Sequence, residues 1–357
     1  MQQSNLLAPS PSLLSPPAPL RVFKPKRFLV TPSAADTAFG RQAMQRAQAM
    51  GIEINLLKND RIQLPTFADE RQAYREAKQT LALVTAPAGQ MRLEPIPPSA
   101  DYQFHLAKGC PAHCQYCYLA GSLQGPPITR VYANLDAILE NTSRYRTPGR
   151  RTTFEASCYT DPLAIEPITG SVSEAILYFG QHEGQELRFT SKFASVGPLL
   201  GLAHNGNTRV RMSLNTPQVA RYFEAGTDTP AQRILALQQL AQAGYKIGIV
   251  LAPLMVYEGW KLEYAQLFKH LGEALATAGD VELEFITHRF TEKSREVLQS
   301  WYPATKLDMD TTNRTRKFGK FGAPKYVFTP QQMAEIRRFV EVQAALNMPQ
   351  AIVKYFT

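Results

Sequence analysis

The chain has 357 residues, 44% of them hydrophobic, which is enough for one large or two small domains with a sizeable core. No apolar run approaches the roughly 18–20 residues of a membrane span, and the N-terminus lacks the pattern of a secretory signal. The formal net charge of +9 favours an acidic partner such as nucleic acid. Three of the four cysteines lie within eight positions, which argues against a disulfide framework and fits the reducing cytoplasm. We therefore predict a cytoplasmic protein that does not associate with a membrane.

The first part of the chain divides into a tail and a small domain. Residues 1–22 contain five prolines among Ser, Ala and Leu, and this composition predicts a disordered Pro-rich tail. No acidic residue precedes Asp36, so a cleaved transit peptide is the alternative. Residues 23–98 are predicted to form a small N-terminal α/β domain. Its predicted strands are 27–31, 52–57 and 81–85, and its helices are 35–50 and 67–79.

Residues 99–357 show a regular alternation of strands and helices. Such alternation predicts a parallel sheet, and six units suit an α/β fold of the partial (β/α)6 barrel type, open on one side. A hairpin near 314–328 and a helix from Pro330 to about Leu346 are expected to follow the barrel. The predicted strands are 102–106, 152–156, 186–191, 208–214, 246–252 and 281–287, and the helices are near 134–145, 171–182, 195–203, 230–243 and 261–278.

Polar and reactive residues follow the predicted strands. Because chemistry in such barrels gathers at the C-terminal ends of the strands, we expect these residues to face one mouth. In strand order they are the cysteine-rich loop 110–117, Cys158, Lys192, Ser213 with Asn215, Pro253, and His288 with Arg289.

The cysteine-rich loop carries Cys110, Cys114 and Cys117 in a C-x3-C-x2-C pattern. A [4Fe–4S] cluster is ordinarily held by four cysteine thiolates, so three leave one iron open for another ligand. This spacing resembles that of radical S-adenosylmethionine enzymes, in which the open iron binds that cofactor. The alternative is a structural zinc site, which needs four protein ligands and would take Cys158 or His113 as the fourth.

Other side chains near the predicted mouth suit radical chemistry. The S–H bond of Cys158 is weak enough to give a hydrogen atom to a carbon radical, although a free cysteine is usually a buried apolar residue. Tyr116 and Tyr118 flank Cys117, and phenols form fairly stable radicals. Lys192 is predicted to pair with the cofactor carboxylate, the alternative being a lysine that is simply solvated, and Ser213 is predicted to donate a hydrogen bond to the cofactor.

The hairpin at residues 314–328 has five basic residues, four aromatic residues and no acidic residue. Basic groups hold phosphates and aromatic rings wedge between or stack on bases, so Lys317, Lys320 and Phe321 are predicted to contact DNA. The alternative is a solvated hairpin whose aromatic side chains pack underneath it.

Several segments together resemble the spore photoproduct lyase family, from about residue 24 to the C-terminus. Two sites depart from the family pattern: Lys320-Phe321 stands where Arg-Tyr is usual, and Thr160 stands where Ser is usual. The matching segments are Gly109-Cys-Pro-Ala-His-Cys-Gln-Tyr-Cys-Tyr-Leu119, Phe154-Glu-Ala-Ser-Cys158, His204-Asn-Gly-Asn-Thr-Arg209, Phe223-Glu-Ala-Gly-Thr227, Ala252-Pro253, Glu258-Gly-Trp260, His288-Arg-Phe-Thr291 and Lys354-Tyr-Phe-Thr357.

The resemblance implies a radical DNA-repair lyase that reverses the spore photoproduct, 5-thyminyl-5,6-dihydrothymine, to two thymines. It implies a [4Fe–4S] cluster on the three loop cysteines, S-adenosylmethionine near Thr160, Lys192 and Ser213, and an electron donor such as flavodoxin or ferredoxin. Cys158 would quench the thymine radical, and Tyr118 and Tyr116 would return the radical to the cofactor. The substrate would be DNA containing a thymine dimer, and the oligomeric state stays open.

Two alternatives to this function remain. One is a radical enzyme of the same family that acts on a different nucleic acid lesion or base. The other, from a different class, is a zinc-bound nucleic-acid-binding protein without catalysis.

Overall fold

The computed structural model describes residues 19–122, 127–156, 158–318 and 324–357. The predicted tail therefore falls largely outside the described residues. Within them, no helix combines the length and apolar character needed to cross a membrane.

The described strands and helices are numbered in chain order. The strands are β1 (Arg27–Val30), β2 (Ile54–Leu56), β3 (Thr80–Val84), β4 (Glu94–Ile96), β5 (Ala100–Phe104), β6 (Ala107–Lys108), β7 (His113–Cys114), β8 (Thr129–Tyr132), β9 (Thr152–Ala156), β10 (Gln185–Ser191), β11 (Thr208–Leu214), β12 (Glu224–Ala225), β13 (Lys246–Leu254), β14 (Val281–Thr287), β15 (Phe290–Thr291), β16 (Thr315–Phe318), β17 (Pro324–Val327) and β18 (Ile352–Phe356). The α-helices are α1 (Pro32–Ala35), α2 (Ala38–Ala49), α3 (Glu70–Lys78), α4 (Leu135–Thr142), α5 (Pro162–Thr169), α6 (Ser171–Gly180), α7 (Pro217–Phe223), α8 (Pro230–Gln242), α9 (Trp260–Ala274), α10 (Glu292–Trp301) and α11 (Pro330–Asn347).

The larger sheet has the order β4-β5-β9-β10-β11-β13-β14-β18. The six strands predicted for the barrel are neighbours in it and are all parallel. β18 adds a further parallel strand beside β14, and β4 pairs antiparallel with β5 at the other edge. The parallel arrangement brings the C-terminal ends of β5, β9, β10, β11, β13 and β14 to one edge of the sheet.

The prediction of a helix at 195–203 is wrong. This segment forms only a short 3₁₀ turn, Gly197–Leu199. Gly197, Pro198 and Gly201 explain the difference, since glycine costs conformational entropy in a helix and proline cannot donate its backbone hydrogen bond. The prediction for α11 is confirmed, with Thr329 accepting the N-cap hydrogen bond from Gln332 and Pro330 in the first turn.

The smaller parallel sheet has the order β2-β1-β3-β8-β6, with β6 antiparallel to β8. It contains the three strands predicted for the N-terminal domain, joined by β6 and β8 from beyond residue 98. The domain boundary near residue 98 stays a prediction. A shared hydrophobic core includes Phe28 and Leu83 on this side and Phe154, Phe189 and Phe285 on the barrel side.

Charged residues run across the middle strands of the larger sheet at alternate positions. Arg188 on β10 binds Glu282 and Glu284 on β14 at 2.8 and 2.9 Å. Arg211 on β11 binds Glu284 at 2.8 Å and also binds Glu155 on β9. These side chains are buried, and each of their charges has a partner of opposite charge within the sheet. The pairing offsets the cost of burying a charge.

Candidate active site

The cysteine-rich loop lies between β6 and a 3₁₀ turn, Tyr118–Gly121. At its start, Gly109 donates a backbone hydrogen bond to the carbonyl of Tyr159 at 2.9 Å, which ties the loop to the segment after β9. Gly109 has φ +86°, and a Cβ there would lie 2.1 Å from the Ile128 carbonyl oxygen. Only glycine therefore suits this position.

The middle of the loop is held by backbone pairing. β7, which contains Cys114, pairs antiparallel with β12, so Cys114 lies opposite Glu224. The next residue, Gln115, donates its N–H to the Phe223 carbonyl at 2.9 Å. These bonds fix the loop beside the segment that follows β11 and α7.

The three loop cysteines are half-buried free thiols. Burial raises the pKa of Cys110 to about 11, and Lys78 acts in the opposite direction. Burial also raises the pKa of Cys114. A bound metal would remove these protons, because a coordinating thiol binds as thiolate.

The donor set fits an iron–sulfur cluster, for which cysteine thiolates are the usual ligands. The fit is one of ligand type: in the part of the chain that the structure describes, no group of three or more His, Cys, Asp or Glu side chains, the loop cysteines included, is arranged to hold a metal ion. His113, one of the two residues considered as a fourth zinc ligand, pairs its Nδ1 with the Tyr74 hydroxyl at 3.0 Å.

The residues predicted to bind the cofactor lie on adjacent strands. The Lys192 ammonium, just after β10, donates to the Ser213 hydroxyl on β11 and lies 3.5 Å from the Ala252 carbonyl on β13. It also lies 5.7 Å from the centre of the Tyr116 ring. The buried Thr160 Oγ1 has no hydrogen-bond partner among the described residues. The structure therefore brings Lys192, Ser213 and Tyr116 together. The Thr160 hydroxyl, without a described partner, is free to form a hydrogen bond with a bound group.

Asp161 positions the backbone of Lys192. It accepts hydrogen bonds from the Ser191 hydroxyl at 2.7 Å and the Lys192 backbone N–H at 2.6 Å. Burial raises the pKa of Asp161, and these hydrogen bonds oppose that rise. The sequence analysis missed Asp161, although its place three residues after Cys158 was a signal that could have identified it.

Tyr116 donates its hydroxyl hydrogen bond to Glu224. Burial raises the pKa of Tyr116 well above its ordinary value, and the Glu224 carboxylate adds to this. Burial alone would raise the pKa of Glu224 too, but Arg233, Lys192 and the Tyr116 hydrogen bond together outweigh it and hold the pKa below its usual range. Tyr116 is thus a neutral phenol bonded to a carboxylate that stays ionised. The sequence analysis missed Glu224 and Arg233.

Tyr118 and Cys158 are adjacent at the mouth. The Tyr118 hydroxyl donates to the Cys158 backbone carbonyl at 3.3 Å, and Tyr118 is 63% exposed. Cys158 is half-buried, and burial followed by the nearby Glu155 raises the pKa of its thiol well above the ordinary value. The thiol therefore keeps its hydrogen at neutral pH, which a hydrogen-atom donor requires.

The predicted hairpin is present, with β16 and β17 antiparallel and β15 pairing with β17. Lys317 is exposed on β16, and Phe318 is 68% exposed with the Arg316 guanidinium 5.2 Å from its ring centre. Arg314 instead packs inward, 4.0 Å from the Phe328 ring centre. The predicted contacts Lys320 and Phe321 lie outside the described residues.

The family model described as spore photoproduct lyase matches residues 23–357. The chain belongs to the spore photoproduct lyase family. It is 36% identical to the spore photoproduct lyase of Geobacillus sp. (strain Y412MC61) over 344 residues, covering 95% of this chain and 100% of that protein. It is 35% identical to that of Bacillus subtilis (strain 168) over 341 residues, covering 94% and 99%.

Solved structures of spore photoproduct lyase share this fold. A variant with bound AdoMet and dinucleoside spore photoproduct has a TM-score of 0.89 at 35% identity, covering 94% of this chain and 99% of that one. A second complex with dinucleoside spore photoproduct has the same TM-score and coverage at 36% identity. The predictions of the family, its lyase class and the partial barrel are confirmed. The roles of individual site residues stay predictions.

Proposed function

We propose that this chain reverses the spore photoproduct in DNA to two thymines by a radical reaction that uses S-adenosylmethionine and a [4Fe–4S] cluster. The observation that supports the proposal is that, in a chain of this family, the cysteine-rich loop is bonded to the segment after β9, where the Tyr118 hydroxyl donates to the Cys158 carbonyl. The relatives' complexes with AdoMet and with the dinucleoside lesion support the same cofactor and substrate here.

Cys110, Cys114 and Cys117 would hold the cluster, and Lys192, Ser213 and Thr160 would hold S-adenosylmethionine. Bound together and given one electron, the two groups supply a 5′-deoxyadenosyl radical that takes a hydrogen atom from C6 of the lesion. The ammonium of Lys192 suits a carboxylate, and it donates a hydrogen bond to the Ser213 hydroxyl, so the two side chains are neighbours. The Thr160 hydroxyl, which has no hydrogen-bond partner among the described residues, could donate a hydrogen bond to the cofactor.

Cys158 would then complete the repair. When the methylene bridge of the lesion breaks, one thymine is left as a carbon radical on its former methyl group. The Cys158 S–H bond breaks, a C–H bond forms on that carbon, and the unpaired electron moves to sulfur. Tyr118, whose hydroxyl donates to the Cys158 backbone carbonyl, would give its hydrogen atom to the sulfur and receive one from Tyr116. Tyr116 would in turn take a hydrogen atom from the 5′-methyl group of 5′-deoxyadenosine, which returns the radical to the cofactor so that it can re-form.

The lesion must reach the barrel mouth from within a duplex. Extruding a nucleotide costs a few kcal/mol, and less at a lesion, where stacking is already weakened. The exposed Lys317 and the basic, aromatic hairpin are suited to hold phosphates and support the opened duplex. The electron donor would be a small redox protein such as flavodoxin or ferredoxin.

Anaerobic reconstitution followed by reaction with a dinucleoside spore photoproduct tests this function. With S-adenosylmethionine and dithionite, we expect release of thymidine by the wild type and none by Cys114→Ala, which should lack iron. Iron with active cofactor cleavage but no thymidine would indicate a different lesion or base. Stoichiometric zinc in anaerobically purified wild type would contradict the proposal and favour the non-catalytic alternative.

A further inference from the structure

Helix α3 contacts the back of the cysteine-rich loop through a buried lysine. Lys78, the last residue of α3, is 7% exposed. Its ammonium donates to the backbone carbonyl of Cys110 at 2.5 Å and also to that of Ala112. One side chain therefore joins two carbonyls on the stretch that carries the first predicted cluster ligand.

Tyr74, one helical turn before Lys78, contacts the same loop. Its hydroxyl pairs with His113 Nδ1 at 3.0 Å and with the Tyr302 hydroxyl. Its ring stacks on Trp301 with the centroids 4.4 Å apart. Because Trp301 ends α10 and Tyr302 follows it, Tyr74 links the loop, through His113, to the end of α10.

The charge of Lys78 is unusual in this position. Among the described residues, no carboxylate forms a salt bridge with it, although a buried ammonium without a paired charge is costly. Its described hydrogen-bond partners are neutral carbonyls of the cysteine-rich loop. A negatively charged group bound to the loop thiolates would supply the missing partner, and each added negative charge would be stabilised further.

We propose that Lys78 and Tyr74 are positioning residues for the cluster: they hold the loop in its binding conformation, and the Lys78 charge favours the reduced cluster. This inference rests on the proposed cluster at Cys110, Cys114 and Cys117. Reduction adds one electron, taken from the external donor, and a fixed cation nearby makes that addition easier. Charge and hydrogen bonding near the cysteines are known determinants of cluster potential.

Variants at Lys78 and Tyr74 separate the charge from the packing. Lys78→Met keeps a side chain of similar length but removes both the positive charge and the hydrogen-bond donor. Tyr74→Phe removes only a hydroxyl. Lys78→Arg keeps the charge, and Lys269→Met removes an exposed lysine on α9 as the matched control. After anaerobic reconstitution, we would measure the cluster's reduction potential by EPR-monitored dithionite titration and its rate of iron loss to a chelator.

We expect Lys78→Met to shift the cluster's reduction potential to a more negative value. It should also lose iron about 10-fold faster or more, because removing a hydrogen-bond partner behind the metal ligands lowers metal affinity by about that factor. Tyr74→Phe should speed iron loss at an unchanged potential, while Lys78→Arg and Lys269→Met should keep the wild-type potential. If Lys78→Met fails to fold, the potential of Lys78→Gln decides in its place. A wild-type potential in the uncharged variant would overturn the inference. Absence of iron from the wild type would instead overturn the proposed cluster, and this inference with it.

Discussion

The Glu224 carboxylate and the Arg233 guanidinium form a fully buried ion pair, with Oε2 and Nη2 2.7 Å apart. Glu224 also accepts the Tyr116 hydrogen bond, and Arg233 also donates to the Ser213 carbonyl at 2.9 Å. The pair therefore supports a predicted radical-transfer residue on one side and a predicted cofactor residue on the other.

Arg233→Met should destabilise the protein by about 3–5 kcal/mol, because it leaves the Glu224 carboxylate buried without its partner. The double variant Arg233→Met with Glu224→Gln should lose less than the sum of the two single variants, since neither charge is then left alone. Chemical denaturation of all four proteins measures this coupling. Additive losses would mean that the pair contributes no interaction energy.

Acid should destabilise the protein by protonating the buried carboxylates of the larger sheet. Burial alone would raise the pKa of Glu284, but Arg211 and its other partners outweigh it and hold the pKa below the usual 4.5. The unfolded chain thus binds more protons than the folded chain below about pH 4.5, so stability is present above that pH and is lost as pH falls.

Glu284→Gln should therefore be less stable at pH 6 and should lose less stability between pH 6 and pH 3 than the wild type. Unfolding free energies over this range measure the difference, with the exposed Glu296→Gln on α10 as the control. An unchanged pH dependence in Glu284→Gln would show that its carboxylate does not contribute to acid unfolding.

Lys317→Ala should weaken binding to damaged and undamaged duplex DNA alike, because an interaction with phosphate carries no sequence information. The log–log salt slope should fall in magnitude by about 0.9, because the variant neutralises one phosphate fewer. Fluorescence anisotropy at several salt concentrations gives the slope. Lys269→Ala should leave it unchanged, and an equal slope for Lys317→Ala would exclude this residue as a phosphate ligand.

Local sequence patterns were sufficient for much of the fold. β9, β11 and β14 have the bounds that their apolar and β-branched residues predicted. β18 was missed because a five-residue segment after a long helix gives no indication of which sheet it joins. The 195–203 segment has the apolar residues of a helix, but its two glycines and its proline oppose one, and only a 3₁₀ turn forms.

The candidate site was predictable where its residues follow strands, as Lys192 and Ser213 do. Its supporting contacts were not predictable, because they join residues far apart in the chain. Lys78 lies 32 residues before Cys110, and Glu224 lies 108 residues after Tyr116. Such pairs leave no periodic pattern, and a buried lysine at a helix end resembles any solvated lysine in sequence.

Repair in D₂O tests directly whether Cys158 gives its hydrogen atom to the product radical, because the thiol hydrogen of Cys158 exchanges with solvent. The reconstituted wild type should convert dinucleoside spore photoproduct to thymidine that carries deuterium in one methyl group, as mass spectrometry would show. Cys158→Ala should keep its iron and still begin the reaction, but its product radical should be diverted to side products. Unlabelled thymidine from the wild type, or an equal yield of labelled thymidine from Cys158→Ala, would show that Cys158 is not the hydrogen-atom donor.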